Sequence, residues 1–379
     1  MSTSLQKTAH SQHIGNYEIL GPSLASGGLA RVYKVRSPDG KIRAAKVMGE
    51  EYLKDRKKKD RFCSEFQILS RLNSPRIIKA IELISEKKTC ALILEYVEGI
   101  ELSHLLKKAP FPEEVTLYVV MEISLAFQEC HKHQLFHRDL KPENILISRK
   151  GHIKLIDFGV AKDPDLKRTQ QGTVLGTLEY MAPEQISGTS NSVDQRADLY
   201  ALGVITFEML SRRLPIKISP SDNILNVLKK KEDHKIPKGK LTSSILENFC
   251  QILTHPDPEE RPQSVEEILE FIKKYKKVSE LKTVFKNWIE SYWAEMDAPT
   301  KPSEDSKARK IKQDAPPPAV PPYRKSRFLK PLFLIGLILA GILTTMWEFP
   351  EFLSKVPNLL TDIRLKLLEF SQLLVFFFS

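Results

Sequence analysis

The order of hydrophobic periods in these 379 residues predicts an α+β fold of two unequal lobes, a small β-rich one followed by a larger helical one. Two patterns carry that reading. Short runs of alternating apolar and polar residues crowd the first hundred positions, the signature of half-buried strands. After Glu101 the alternation gives way to helical periods, as in PEEVTLYVVMEISLAFQECHKH. Between Tyr17 and about Lys274 turn signals recur regularly, with no low-complexity run and no internal repeat. That length suits one domain of about 250 residues with a sizeable core.

Taken in order, residues 1–16 are a polar leader without an apolar stretch, so a secretory signal peptide is not expected. Strands are expected at Tyr17–Leu20, Arg31–Val35 and Arg43–Val47, and a helix at Asp60–Leu72. Two further strands, Ile77–Ile84 and Cys90–Tyr96, complete the small sheet. The main domain, 17–274, is followed at 275–296 by a further helix carrying Trp288, Tyr292 and Trp293, which is able to pack back on it. Residues 297–327 hold APPPAVPPY among charges and read as a semi-rigid linker.

Pro331 to Trp347, PLFLIGLILAGILTTMW, is a 17-residue run without a charge. It stands at the short end of what spans a bilayer, and the linker before it offers no core to join, so a transmembrane helix is expected. Four positive charges in the preceding YRKSRFLK place the large N-terminal part on the cytoplasmic side of a cell membrane crossed once. In the tail, 348–379, Leu360, Ile363, Leu367, Phe370, Leu374 and Phe377 recur at helical spacing with polar residues between. Two uses fit that amphipathic helix: lying on the outer membrane face, or pairing with a second copy. Gly336 and Ala340 form a small-xxx-small pair of the kind found where membrane helices dimerise, which allows a homodimer.

The formal charge of +11 admits an anionic surface or nucleic acid as partner. The runs Lys57–Lys59 and Lys229–Lys231 are each followed by an acid and read as solvated helix faces. No nucleic-acid signature accompanies them, so no nucleic-acid partner is expected. Cys63, Cys90, Cys130 and Cys250 lie far apart in the chain without CxxC spacing and read as reduced thiols of a cytosolic compartment.

The chemistry concentrates in FHRDLKPENILI, 136–147, and HIKLIDFGVAK, 152–162. The Asp139 carboxylate is suited to accept a hydroxyl proton, and Asn144 and Asp157 supply hard oxygen ligands for magnesium. Lys141 reaches a transferred phosphate, and positioning with charge neutralisation is most of phosphoryl-transfer catalysis. Upstream, LASGGLARV offers Leu24, Ala25, Ser26, Gly27, Gly28, Leu29, Ala30, Arg31 and Val32 as a phosphate-cradling loop with some glycines missing. By itself it fits either a nucleotide loop or a remnant of one.

His137-Arg138-Asp139 through Asn144, Asp157-Phe158-Gly159 and Ala182-Pro183-Glu184 together resemble the signature set of eukaryotic-like (Hanks-type) Ser/Thr protein kinases, in family order from Tyr17 to Lys274. That resemblance implies the bilobal kinase fold and a requirement for ATP with Mg²⁺ (or Mn²⁺). It implies Lys46 as the strand lysine on the nucleotide phosphates, with Glu65 as its helix partner. Val32 and Ala44 would cover the adenine from above and Leu146 from below. Asp198 and Gly203 match the central helix of the large lobe, and Arg261 the ion-pair partner of Glu184. His137 would orient its loop rather than touch substrate. Lys141 and Thr177 resemble the Ser/Thr class, whose partners are protein Ser and Thr hydroxyls. Arg138 resembles the arginine that pairs with a phosphorylated activation loop, with Thr173 and Thr169 as acceptors. Ala25 departs from the glycine pattern at its first position, which keeps a non-catalytic membrane scaffold as the alternative.

Overall fold

The computed structural model describes residues 13–158, 178–188, 193–233, 235–236 and 239–298. The small lobe is a six-stranded antiparallel sheet built from β1 (His13–Ile14), β2 (Tyr17–Ser26), β3 (Ala30–Arg36), β4 (Ile42–Met48), β5 (Ala80–Ser85) and β6 (Cys90–Glu95), in the order β1-β2-β3-β4-β6-β5. Ile14, Tyr17, Val35, Ala45, Ile84, Ala91 and Ile93 form a small core of their own on one face of this sheet. β2 runs well past the expected Leu20, because Ala25 and Ser26 still pair with Val32 and Arg31 across the glycine turn. The lobe's helix, α1 (Arg56–Leu69), starts earlier than its apolar pattern indicates. Asp55 caps it, its carboxylate accepting the Lys58 N–H at 3.1 Å.

The expected strand at Ile77 begins only at Ala80. Ile77 and Ile78 serve the junction between the lobes: Ile77 makes a parallel bridge with Leu155, and Ile78 N–H donates to the Leu155 carbonyl at 2.9 Å. A second, three-stranded sheet follows, from β7 (Gly99–Glu101), β8 (Ile145–Ser148) and β9 (Ile153–Leu155). β8 begins directly after Asn144, and β9 ends two residues before Asp157.

The large lobe comprises α2 (Leu102–Leu105), α3 (Glu113–Lys132), α4 (Pro183–Ser187), α5 (Gln195–Ser211), α6 (Ile224–Glu232), α7 (Ser244–Leu253), α8 (Val265–Tyr275) and α9 (Val278–Asp297). α3 and α5 are apolar over most of their circumference and lie inside the lobe, as helices without a polar face must. α5 and α7 approach so closely at Gly203 that an added Cβ would lie 2.5 Å from the Leu253 Cβ. Gly203→Ala is therefore expected to destabilise the domain by about 1–3 kcal/mol through overpacking. Chemical denaturation of the variant beside the parent checks this, and an unchanged midpoint would contradict it.

α9 packs back on α3. Leu281, Phe285, Ile289 and Tyr292 are buried along one face, Phe285 stacks on Tyr118 at 4.5 Å, and Trp288 meets Phe111 at 4.8 Å. Its last residue, Asp297, takes a two-pronged ion pair from Arg149 at 2.6 and 2.8 Å. The helix takes in Asp297, the first residue of the expected linker; the linker from 299 on, the 331–347 run and the tail lie outside the described residues, and among the described residues no helix is long and apolar enough to cross a membrane.

The reading of Lys229–Lys231 as a solvated face holds only in part. Lys231 is fully buried, because α6 turns Val227 and Lys231, four residues apart, toward the lobe. Its ammonium donates to the Glu179 carbonyl at 2.9 Å and lies over the Tyr200 ring. Burial pushes it down to about 7.

Candidate active site

The candidate site residues are carried on elements whose register fixes them. On β3 and β4, Val32 pairs with Lys46 and Lys34 with Ala44, so Val32, Ala44 and Lys46 share one face of the sheet. Ala45, between the last two, enters the small core. α1 buries Phe62, Glu65 and Leu69 at helical spacing, which directs the Glu65 carboxylate inward. Leu146 alternates with the fully buried Ile145 and Ile147 and emerges on the opposite side of β8.

The Lys46 Nζ reaches both oxygens of Glu65 at 2.8 Å and Asp157 Oδ1 at 2.7 Å. Burial works against the Lys46 charge, yet the Glu65 and Asp157 carboxylates outweigh it and hold the ammonium above the ordinary lysine range. The two acids divide the load unequally. Glu65, 1 % exposed at its side chain, is raised by burial despite the attraction of Lys46. Asp157, 42 % exposed, is held low: burial resists its ionisation, but Lys46 prevails, with Lys141 adding to it. Asp157 is thus the standing anion of the site and sits beside Lys141.

Asp139 and Asn144 form the second group. The Asn144 amide nitrogen donates to the Asp139 carbonyl at 2.8 Å and to its Oδ2 at 3.2 Å, and both residues are buried. The loop around them is strained, with Arg138 at φ 59° and Asp157 at φ 54°, values that side-chain-bearing residues adopt at a cost of about 1–3 kcal/mol each. Asp198 on α5 holds the first of these in place: its carboxylate accepts the backbone N–H groups of His137 and Arg138, each at 2.8 Å. His137 is fully buried, and burial lowers its pKa, so the ring is neutral. Its Nε2 donates to the Ile156 carbonyl at 3.1 Å and the ring lies against Phe158 at 4.6 Å. These contacts tie the His137 ring to the segment that carries Asp157.

The loop Leu24–Val32 turns at Gly27, whose N–H donates to the Ala30 carbonyl at 2.9 Å. Ala25 lies in the exposed end of β2, paired with Val32. Its methyl leaves the strand pairing intact and removes no N–H. Downstream, Arg261 joins the two oxygens of Glu184 at 2.7 and 2.9 Å. Gly159, Thr169, Thr173 and Thr177 lie outside the described residues.

Several participants carry no local sequence signal. Gln185 of α4 donates to the Arg138 carbonyl at 3.1 Å, which joins the APE segment to the catalytic loop. Glu208 of α5 accepts the Tyr180 hydroxyl at 2.8 Å. Burial pushes the Glu208 carboxyl up from about 4.5 to about 7, and Glu179 and Glu143 push further against the Tyr180 hydrogen bond. A carboxyl raised on folding contributes stability at low pH that is lost as pH rises through the folded value. The domain is thus expected to lose up to ~3 kcal/mol between pH 4.5 and 7 from this group. Glu208→Gln should flatten that slope. Denaturant midpoints for both proteins at pH 5 and 7.5 test it, and parallel profiles would refute it.

Residues 19–272 match the protein kinase domain family. Curated relatives include a probable serine/threonine-protein kinase of Clostridium perfringens, 30% identical over 272 residues, covering 70% of this chain and 39% of its own. The Bacillus subtilis serine/threonine-protein kinase PrkC is 31% identical over 262 residues, covering 67% of this chain and 39% of its own. The Myxococcus xanthus serine/threonine-protein kinase pkn2 is 32% identical over 265 residues, with 67% and 32% covered. The chain spans about two fifths or less of the length of these relatives. It belongs to the protein kinase family, in the eukaryotic-like Ser/Thr branch that its signature residues and these relatives define.

Proposed function

We propose that this chain is a serine/threonine protein kinase that uses ATP and a divalent cation, Mg²⁺ or Mn²⁺, and is tethered by 331–347 with its kinase domain on the cytoplasmic face of a cell membrane. The observation that carries the catalytic reading is the closed Lys46–Glu65–Asp157 cluster with Asp139 and Asn144 fixed beside it.

The residues fit the nucleotide and metal. A Cβ on Gly27 would meet only the Ala30 carbonyl, at 3.7 Å, so the protein's own packing does not demand glycine there. A close-approaching phosphate would. Asn144 spends its amide nitrogen on Asp139, which leaves Oδ1 to pair with the Asp157 carboxylate as hard oxygen ligands. When bound, the metal nucleotide supplies the transferable phosphoryl group and part of the charge neutralisation.

The chain's own residues then divide the work. Lys46, fixed by Glu65, anchors phosphate oxygens by charge. Val32, Ala44 and Leu146 present apolar surface for the base. Asp139 accepts the proton of the incoming hydroxyl, and Lys141 neutralises charge on the group in transit. Lys141 and Thr177 favour Ser and Thr as acceptors. Thr173 is the acceptor for autophosphorylation, which a small-xxx-small homodimer at Gly336 and Ala340 would promote.

The test is phosphate transfer by the full chain in detergent micelles, with ATP and Mg²⁺, to itself and to a generic basic protein. Label on Ser and Thr, Thr173 included, and lost in Asp157→Asn, is the expected result. ATP binding without transfer would sink the catalytic reading. For the tether, the chain should stay in the membrane fraction through alkaline extraction, and deleting 331–347 should release it.

A further inference from the structure

The cysteines that stand far apart in sequence do not all stay apart. Cys63, on α1, and Cys90, the first residue of β6, lie with their sulfurs 3.9 Å apart, both as free thiols. Cys90 is fully buried, whereas Cys63 keeps part of its surface in solvent. Cys63 stands two residues before Glu65 on the helix. Cys90 stands two residues before Leu92, which pairs with Lys46 across β4 and β6. The thiol pair therefore ties α1 to β6, the neighbour of the β4 strand to which the Lys46–Glu65 ion pair ties it. α1 is already moored there, since the Lys59 ammonium, one turn before Cys63, donates to the Glu86 carbonyl of the β5–β6 turn at 3.2 Å.

We propose that Cys63 and Cys90 are a reversible redox pair whose disulfide fastens α1 to the sheet with Glu65 engaged on Lys46. A disulfide needs its sulfurs at about 2.0 Å, so they must close by roughly 2 Å, within reach of small side-chain and helix adjustments. The bond forms from the engaged arrangement and so preserves it. A small disulfide such as oxidised glutathione is the oxidant. The partly exposed Cys63, as its thiolate, attacks one glutathione sulfur and releases one glutathione thiolate. Cys90, having lost its proton, then attacks the Cys63 sulfur and releases the second. Two protein thiols lose two electrons and two protons, and one glutathione disulfide becomes two glutathione thiols. Burial and the neighbouring Cys63 raise the Cys90 thiol to about 12, with Lys59 opposing, which suits a slow resolving partner better than a first nucleophile. The order of events thus follows exposure.

The effect on phosphate transfer rests on the proposed function; the thiol chemistry does not. The full chain in detergent micelles is incubated with oxidised glutathione, digested without reductant and mapped by mass spectrometry. Expected are a cross-linked peptide containing Cys63 and Cys90, a fall from four titratable thiols to two after denaturation, and reversal by dithiothreitol. The oxidised protein should retain its phosphate-transfer rate within twofold and gain several degrees in Tm, because the bond closes a long loop. Cys63→Ser should abolish the cross-link and the Tm gain. Cys90→Ala, judged first by its own Tm, should leave Cys63 as a mixed disulfide with glutathione. Four free thiols, or a stable mixed disulfide on Cys63 in the parent protein, would overturn the pair. A tenfold loss of transfer on oxidation, absent in Cys63→Ser, would overturn the engaged lock. A chain that never transfers phosphate but still forms the cross-link would fail the functional reading alone.

Discussion

Asp139→Asn is expected to lower kcat for phosphate transfer by about 10²–10⁴-fold while leaving KM for ATP within a few-fold. The two carboxylates near the reaction have separate tasks, and the substitution isolates one of them. Asn144 donates to the Asp139 carbonyl and to its Oδ2. An asparagine keeps an oxygen able to accept that second bond, so the loop geometry and Tm should persist. What disappears is the ability to take a hydroxyl proton. In the proposed function the phosphates fall to Lys46 and the cation to Asp157, and the Lys46 contacts to Glu65 at 2.8 Å and Asp157 at 2.7 Å do not involve Asp139. Steady-state kinetics on the purified full chain, with ATP affinity measured separately, decide the matter. If kcat falls less than tenfold, Asp139 is not the base. If ATP affinity collapses with it, Asp139 also holds the nucleotide and the two tasks are not separate.

That division was legible in the sequence because each of its members sits in a short string with a chemical reason for its spacing. Asp139 to Asn144 is one turn of loop, and Asp157 follows one hairpin later. Lys46 and Glu65 needed more, since a lysine in a strand and a glutamate in a helix gain meaning only when strand register and helix phase face them together. The resemblance supplied that pairing, and the β3–β4 register and the buried face of α1 account for it physically. Glu208, Gln185 and Lys231 had no such support. Glu208 matters because Tyr180, 28 residues away, reaches it, and Lys231 was hidden in a charge run whose phase on α6 turns one of its three lysines inward. The Cys63–Cys90 contact spans 27 residues and depends on how α1 lies against β6, which no local pattern encodes. Element ends failed for a related reason. β2 is extended by its partner strand and α1 by its Asp55 cap, both choices made outside the apolar period that announces each element.

The largest effect on stability is expected at the other end of the catalytic segment, from Arg261→Ala. The guanidinium is fully buried and donates to Glu184 through two contacts and to the carbonyls of His255, Arg196 and Pro256. Tyr200 lies beneath it, 4.9 Å from ring centroid to guanidinium carbon. Alanine would remove the cation while leaving the Glu184 carboxylate, whose side chain is 9 % exposed, without its counter-charge, and would strip three carbonyls of their donor. Losing one member of a buried pair costs about 3–5 kcal/mol, which for a domain of this size is a fall in Tm of about 10 °C. Much of that cost belongs to the stranded anion rather than to the pair's attraction, and a second variant separates the two. Glu184→Gln with Arg261→Met removes both charges and keeps most of the volume, so it should recover part of the loss without the full hydrogen-bond network. Thermal unfolding of the two proteins beside the parent tests this. If the double variant were as unstable as Arg261→Ala, the carbonyl contacts and not the buried charge would be what holds the segment from Ala182 to Ser187 against the lobe.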